Sequence, residues 1–280
     1  MKMTLVGAGA GSFREWRWRP KELPCIELLS VHGIGYRHPE FVLNRGYAFT
    51  VTCGGVAPPV RYRGLEHPPA AGRTIMVVEP DEVVQSLSLE PGCADFTTIT
   101  LLHSQVLRDV TADGRMPRFD RLRYADKELC TEFMALHLGL TSELGAGTLR
   151  SMVADLLGTM VSRYGNAAGA AIDAHRPSWL RKVRQILADR LDSNVGLDEL
   201  AAVAGCSRHH LVRSFRRSYG VPPHRYRTML RLASARSLLA QGLPVADVAA
   251  RLGYFDQSQL NRHFRNAFGF SAGVYACTVS

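Results

Sequence analysis

The chain has 280 residues, which is long enough for two domains that each bury a core of their own. Its six cysteines form no CxxC pair and stand beside no His cluster, which argues against a zinc ribbon and a disulfide scaffold. The start of the chain lacks the basic region and apolar run of a secretory signal, and no segment approaches the roughly 18 apolar residues of a membrane span. We therefore expect a cytoplasmic protein that uses no metal or cofactor and does not associate with membranes.

The net charge of +9 is concentrated in the C-terminal part of the chain. Residues 176–280 carry 16 Lys and Arg against six Asp and Glu, and 15 of the 16 cations are Arg. The preceding 175 residues carry 18 cations and 19 anions, so their net charge is −1. Because the planar guanidinium binds phosphate and guanine through paired hydrogen bonds, an Arg-rich segment favours a nucleic-acid partner, although charge alone does not name one.

The N-terminal part is predicted to be a β structure followed by two helices. Short strands separated by Gly- and Pro-rich turns are expected at residues 47–53, 60–63, 74–78, 83–89 and 96–102. Their close spacing is typical of a sandwich or barrel. From about Tyr124 the apolar residues recur at helical spacing, which predicts a pair of amphipathic helices. The Gly- and Ala-rich segment from Gly165 to Pro177 is the expected linker, and Ser178 is the expected N-cap of the next helix.

An internal repeat occupies the C-terminal part. Residues 197–205 match residues 245–253 at an offset of 48, and the offset becomes 49 further along the chain. A duplication with one residue added in the second turn explains both offsets. Each copy predicts a short helix that ends at a glycine, a tight turn with a capping residue, Ser207 or Asp256, and a second helix. This layout is the helix-turn-helix, whose second helix enters the major groove of DNA.

The outward faces of the two second helices carry side chains that suit DNA. Arg reads guanine, and Gln or Asn reads adenine, through paired hydrogen bonds, and all three also bind phosphate. The residues predicted to contact DNA are Arg208, His209, His210, Arg213, Arg216, Arg217, Gln257, Ser258, Gln259, Asn261, Arg262 and Arg265. Arg213 and Arg262 occupy equivalent places in the two copies and are the best candidates for base contacts.

Residues 178–276 resemble the DNA-binding domain of the AraC/XylS family of transcription regulators. The resemblance rests mainly on Val248-Ala249, Gly253-Tyr254, Asp256-Gln257-Ser258, Asn261-Arg262, Phe264-Arg265 and Gly269. It implies a long helix from about Pro223 to Gln241 that joins the two units and lets them enter successive major grooves. It also implies double-stranded DNA and RNA polymerase as partners, and activation of transcription.

A fainter resemblance, to the cupin-like sensing barrel of AraC regulators, covers residues 30–165. It is carried by Tyr62-Arg63-Gly64-Leu65-Glu66-His67, by Gly72 and by Glu79-Pro80-Asp81-Glu82-Val83. The barrel of that family holds a small effector and its helices pair two subunits, which implies effector control and a homodimer here. The sequence singles out no effector-binding residue. Leu149 and Leu156 are expected on the exposed, subunit-pairing face.

The complete prediction is an α+β protein of two domains. Residues 1–173 are expected to form a cupin-like β-barrel with trailing helices, which senses an effector and dimerises. Residues 174–280 are expected to form an all-α domain of two helix-turn-helix units joined by a long helix.

Three alternatives are weighed against a ligand-controlled regulator. A constitutive DNA-binding regulator whose barrel only dimerises has the same motifs and stays open. A metal-dependent cupin enzyme fused to a DNA-binding module needs several converging ligands, whereas His38 and His67 are isolated and no HxH motif occurs. A repair methyltransferase needs an activated cysteine close to the helices, but Cys206 falls in a turn between two of them. The sequence therefore predicts a regulator and no enzymatic activity.

Overall fold

A computed structural model describes residues 4–5, 14–20, 23, 25–36, 40–88, 92–101, 116–142, 144–166 and 176–279. The strands within these residues are β1 (Thr4–Leu5), β2 (Arg14–Trp18), β3 (Ile26–Tyr36), β4 (Phe41–Leu43), β5 (Ala48–Gly54), β6 (Val56–Ala57), β7 (Val60–Tyr62), β8 (Leu65–His67), β9 (Ala70–Ala71), β10 (Thr74–Val78), β11 (Val83–Ser86), β12 (Gly92–Leu101), β13 (Arg118–Phe119), β14 (Arg123–Tyr124) and β15 (Gly165–Asn166). The helices are α1 (Lys127–Thr141), α2 (Ala146–Tyr164), α3 (Ser178–Asp189), α4 (Leu197–Ala204), α5 (Arg208–Tyr219), α6 (Pro223–Ala240), α7 (Val245–Arg251), α8 (Gln257–Phe268) and α9 (Ala272–Val279).

Two antiparallel sheets dominate the described N-terminal part. The larger has the strand order β1-β2-β3-β12-β5-β10-β14 and the smaller β4-β11-β7-β8, while β13 pairs with β15 and β6 with β9. Closing a barrel requires the edge strands of a sheet to pair, and among the described strands β1 and β14 remain edges of the larger sheet. The α+β class is confirmed, but the expected closed cupin-like barrel is replaced by two open sheets.

The central strands of the larger sheet have two different faces. Because successive side chains of a strand point to opposite sides, Phe49 and Val51 of β5 face one way and Thr50 and Thr52 the other. Phe49 and Val51 are buried in one cluster with Phe133 of α1. The two threonines line a cavity on the opposite side. The sheet thus separates a helix-covered core from a more polar wall.

The helices after the sheets, expected from about Tyr124, are α1 and α2. Asp126 caps α1 by accepting a hydrogen bond from the backbone N–H of Leu129 at 2.9 Å. Leu149 and Leu156 are only 1% and 4% exposed and belong to the cluster that α1 and α2 form with the larger sheet. The expectation that they lie on an exposed pairing face is therefore wrong, because the sheet already covers the apolar stripe of α2.

The first C-terminal helix, α3, begins one residue earlier than expected. Ser178 is the first residue of α3 and not its N-cap, because the carbonyl of Pro177 accepts hydrogen bonds from the N–H groups of Leu180 and Arg181 at 3.0 and 3.3 Å. The long helix expected between the repeats is α6. The expected linker lies largely in residues 167–175, outside the described residues, so the boundary at residue 173 stays a prediction. None of the described helices is long and apolar enough to cross a bilayer.

Buried polar contacts join the sheets to the C-terminal helices. Glu82 accepts two hydrogen bonds from Arg176, at 2.7 and 3.0 Å, just before α3. On another part of the interface Glu27 of β3 pairs with Arg236 of α6 and accepts a hydrogen bond from Tyr275 of α9. Each carboxylate is at most 2% exposed. The sheets are therefore anchored both just before α3 and at α6 and α9.

Candidate nucleic-acid interface

Two helix-turn-helix units are formed by α4 with α5 and by α7 with α8. Gly205 and Gly253 follow the first helix of each unit with φ values of +63° and +66°, as the sequence predicts. A Cβ at Gly253 would stand 2.2 Å from the carbonyl oxygen of Asp192, so close packing also requires glycine there. Ser207 and Asp256 are the N-caps of α5 and α8. Local sequence thus determines where α5 and α8, the second or recognition helices of the two units, begin.

Apolar anchors fix which face of each recognition helix points outward. Leu211 and Phe215 of α5 are fully buried, and so are Leu260 and Phe264 of α8. Because residues four apart share one helix face, these pairs turn the opposite face toward solvent. Ten of the twelve residues predicted to contact DNA are exposed there: Arg208, His209, His210, Arg213, Arg216, Arg217, Gln257, Ser258, Arg262 and Arg265.

Gln259 and Asn261, the other two predicted contacts, are half-buried and have hydrogen-bond partners inside the protein. The side-chain oxygen of Gln259 accepts from the backbone N–H of Phe255 at 2.8 Å, which helps to cap α8. The side-chain oxygen of Asn261 accepts from the N–H of Ala272 at 3.0 Å, at the start of α9. Gln259 thus completes a local arrangement like a capping box with Asp256, a pattern that the sequence contains. The capping role of Asn261 is not visible in the sequence, because Ala272 lies in another element.

The exposed face carries arginines whose charge is available to a ligand. Arg213, Arg216 and Arg217 of α5, like Arg262 and Arg265 of α8, have no ion-pair partner among the described residues. Arg208 differs, since its guanidinium pairs with Asp198 of α4 on the surface. Unpaired guanidinium groups on two equivalent helices form a surface that attracts polyanions.

A cavity of about 620 Å³ lies between the larger sheet and the C-terminal helices. Thr50 of β5 and Thr98 of β12 face each other on its wall, with their hydroxyl oxygens 2.9 Å apart. The helical side is formed by α6 and α8 and includes Met229, Leu232 and Phe268. Sequence reasoning did not find this site, because its residues come from elements far apart in the chain. The alternating threonines of the strands were the one available signal.

Two of the arginines on the cavity wall pair with carboxylates, whereas Arg123, among the described residues, donates only to the backbone carbonyls of Pro58 and Pro68. Arg236 donates to Asn44 at 3.1 Å and pairs with Glu27, and Arg225 lies 3.3 Å from Glu40. Burial, with smaller effects from nearby arginines, lowers the pKa of His263 below its ordinary value, which favours the uncharged imidazole. The wall therefore presents mainly hydroxyl and apolar groups to a bound molecule.

The described residues offer little that resembles an enzyme site. Among them no three His, Cys, Asp or Glu side chains converge as metal ligands, and His38 lies outside the described residues. Ser30, His32 and Asp95 are linked in series, with Ser30 Oγ 3.0 Å from His32 Nε2 and His32 Nδ1 2.5 Å from Asp95. Ser30 is only 4% exposed, so its hydroxyl is not accessible to a substrate.

Residues 200–276 match a family model described as a helix-turn-helix domain. The chain is 30% identical over 212 residues to the transcriptional activator NphR of Rhodococcus sp, which covers 75% of this chain and 58% of NphR. It is 28% identical over 231 residues to the XylDLEGF operon transcriptional activator of Pseudomonas putida, covering 75% of this chain and 68% of that protein.

The fold extends the similarity over most of the chain. A crystal structure of ToxT from Vibrio cholerae with an unsaturated fatty acid bound aligns with a TM-score of 0.51 at 10% identity, covering 91% of this chain and 95% of that one. At this identity the likeness concerns the fold alone. The family model and the sequence matches to named regulators show that the chain belongs to the AraC/XylS family of DNA-binding transcription regulators.

Proposed function

We propose that the protein activates transcription by reading a specific DNA site with α5 and α8. The observation that carries this proposal is the pair of equivalent helices whose exposed faces hold unpaired arginines. Because α6 joins the two units, both helices enter successive major grooves on one side of the duplex. The relatives named as activators support activation. The family resemblance supports a homodimer and contact with RNA polymerase.

Within this interface we assign base reading to Arg213 and Arg262 and phosphate binding to Arg216 and Arg265. We expect Arg213→Ala or Arg262→Ala to weaken binding to the specific site by about 1–3 kcal/mol, because one bidentate bond to guanine is lost. Arg216→Ala and Arg265→Ala should weaken binding to all sequences about equally. The measurement is the Kd of each variant for a site selected from random duplexes and for a scrambled duplex at one salt concentration.

Salt titration provides the control for this assignment. Each phosphate contact releases counterions when DNA is bound. The slope of the logarithm of the binding constant against the logarithm of the salt concentration should therefore become less steep by about 0.9 in Arg216→Ala and in Arg265→Ala. Equal losses of Arg213→Ala on the specific and scrambled duplexes would show a phosphate contact instead. Salt-independent binding, or no binding by the unaltered chain, would overturn the proposed function.

We further propose that the cavity holds a small effector and that the effector controls DNA binding. A molecule in this space contacts the threonine wall of the larger sheet and also α6 and α8, the helices that carry and position the second unit. An effector that binds one arrangement of these elements better than another shifts the population toward it. The cavity favours this function over a constitutive regulator. The ToxT structure with a bound fatty acid supports ligand binding within the same fold.

The pairing of Arg225 and Arg236 with carboxylates, together with the threonine wall, favours an uncharged ligand with both hydroxyl and apolar groups. We expect benzyl alcohol or 1-octanol to raise the Tm of the full chain more than benzoate or octanoate at the same concentration. A ligand at 100 times its Kd stabilises the folded state by about 2.7 kcal/mol. The change Thr50→Val with Thr98→Val removes two hydroxyls at nearly constant volume and should abolish the rise. Stabilisation by the carboxylates alone would show that the ligand class is wrong.

A further inference from the structure

Between its glycine and its capping residue, the turn of the second helix-turn-helix unit contains one residue more than the turn of the first. In both units the residue after the glycine donates its backbone N–H to the preceding helix. Cys206 donates to the carbonyl of Ala201 at 3.1 Å, and Tyr254 to that of Ala249 at 3.0 Å. Cys206 and Tyr254 each pack on the core of their own unit. Tyr254 therefore takes the place of Cys206, and Phe255 is the residue that the second turn adds.

Phe255 lies outside the core although its backbone is held firmly. Its side chain is 94% exposed, the highest value among the large apolar side chains of the described residues. Its N–H donates to Gln259 at 2.8 Å, and Asp256 accepts a hydrogen bond from the N–H of Gln259 at 2.7 Å. The phenyl ring is thus presented at the N-terminal end of α8. Since removal of apolar surface from water is favourable, a ring held there gains free energy when a partner covers it.

We propose that Phe255 contacts the C5-methyl group of a thymine in the major groove, an inference that rests on the proposed DNA-binding function. The N-terminal residues of a recognition helix are those that reach base edges. Apolar contact with the methyl group distinguishes thymine from the other bases. The phenyl ring carries no charge, so it adds selectivity without adding general phosphate affinity. The shorter first turn has no equivalent residue, and the thymine preference belongs to the half-site of the second unit alone.

The test removes the methyl group from the DNA and the ring from the protein. A specific site is selected from random duplexes with the full chain, and each thymine is replaced in turn by deoxyuridine, which lacks only the methyl. For one position in the second half-site, we expect binding to weaken about fourfold, the equivalent of about 0.8 kcal/mol for one buried carbon. Phe255→Ala should weaken binding to the thymine duplex and be insensitive to the same replacement. Phe255→Leu should retain most of the sensitivity.

The measurements distinguish a thymine contact from unfolding of the variant and from contact with the sugar-phosphate backbone. Because Phe255 is exposed, Phe255→Ala should keep the Tm of the unaltered chain, so lost binding would not reflect unfolding. If Phe255→Ala responds to deoxyuridine at every position as the unaltered chain does, the thymine contact is refuted. An equal loss on specific and scrambled duplexes would place the ring on the sugar-phosphate backbone and would also refute it. If the unaltered chain binds no duplex, the proposed function itself fails.

Discussion

Glu27→Gln should destabilise the full chain by about 3–5 kcal/mol, because it leaves the charge of Arg236 buried without its counter-ion. Glu27 is 2% exposed and Arg236 is 7% exposed, so the guanidinium stays largely shielded from bulk water after the change. Burial already lowers the pKa of Arg236 from its ordinary value. For a chain of this size we expect the Tm to fall by about 10 °C, measured by thermal unfolding beside the unaltered chain.

An exposed ion pair is the matched control for this change. Arg61 and Glu66 pair at the β7–β8 hairpin with side-chain exposures of 38% and 63%. Glu66→Gln makes the same chemical change and should alter stability by no more than about 1 kcal/mol. Combining Glu27→Leu with Arg236→Met should restore much of the stability, since a well-packed apolar pair often replaces a buried ion pair without loss. Similar Tm values for Glu27→Gln and Glu66→Gln would show that Glu27 and Arg236 do not stabilise the interface.

The features that sequence predicted well depend on neighbours along the chain. Gly205 and Gly253, which have positive φ, and the capping residues Ser207 and Asp256 interact with neighbours only a few residues away. Because the unit is duplicated, each of these features could be predicted in both copies. The same is true of the outward position of Arg213 and Arg262, which follows from helical spacing. For these elements the pattern of apolar residues and the folded structure agree, because local interactions decide both.

The features that sequence missed depend on partners distant in the chain. Glu27 and Arg236 are 209 positions apart, and no local pattern indicates that they meet. Asn261 matches the family pattern of a polar recognition helix, yet its oxygen caps α9. The apolar period of α2 revealed that Leu149 lies on an apolar face. It could not reveal whether a second subunit or the chain's own sheet covers that face.

Leu149→Lys should prevent stable folding, because Leu149 is 1% exposed within the core between α2 and the larger sheet. Loss of the leucine alone typically costs about 2–5 kcal/mol, and an ammonium group buried without a partner adds to that cost. We expect aggregation or a loss of the cooperative thermal transition, measured by circular dichroism. Leu149→Met, which conserves volume, should cost less than about 1.5 kcal/mol.

Leu138→Lys separates this effect from subunit pairing. Leu138 lies on α1 and is 64% exposed, so lysine there should leave the Tm nearly unchanged. If the exposed face of α1 pairs two subunits, light scattering should show a dimer for the unaltered chain and a monomer for this variant. A folded, monomeric Leu149→Lys protein would restore the interpretation of Leu149 as an interface residue. The expected pair of results, an unfolded Leu149→Lys chain and a folded Leu138→Lys monomer, would assign the buried face of α2 to the core and the exposed face of α1 around Leu138 to the dimer.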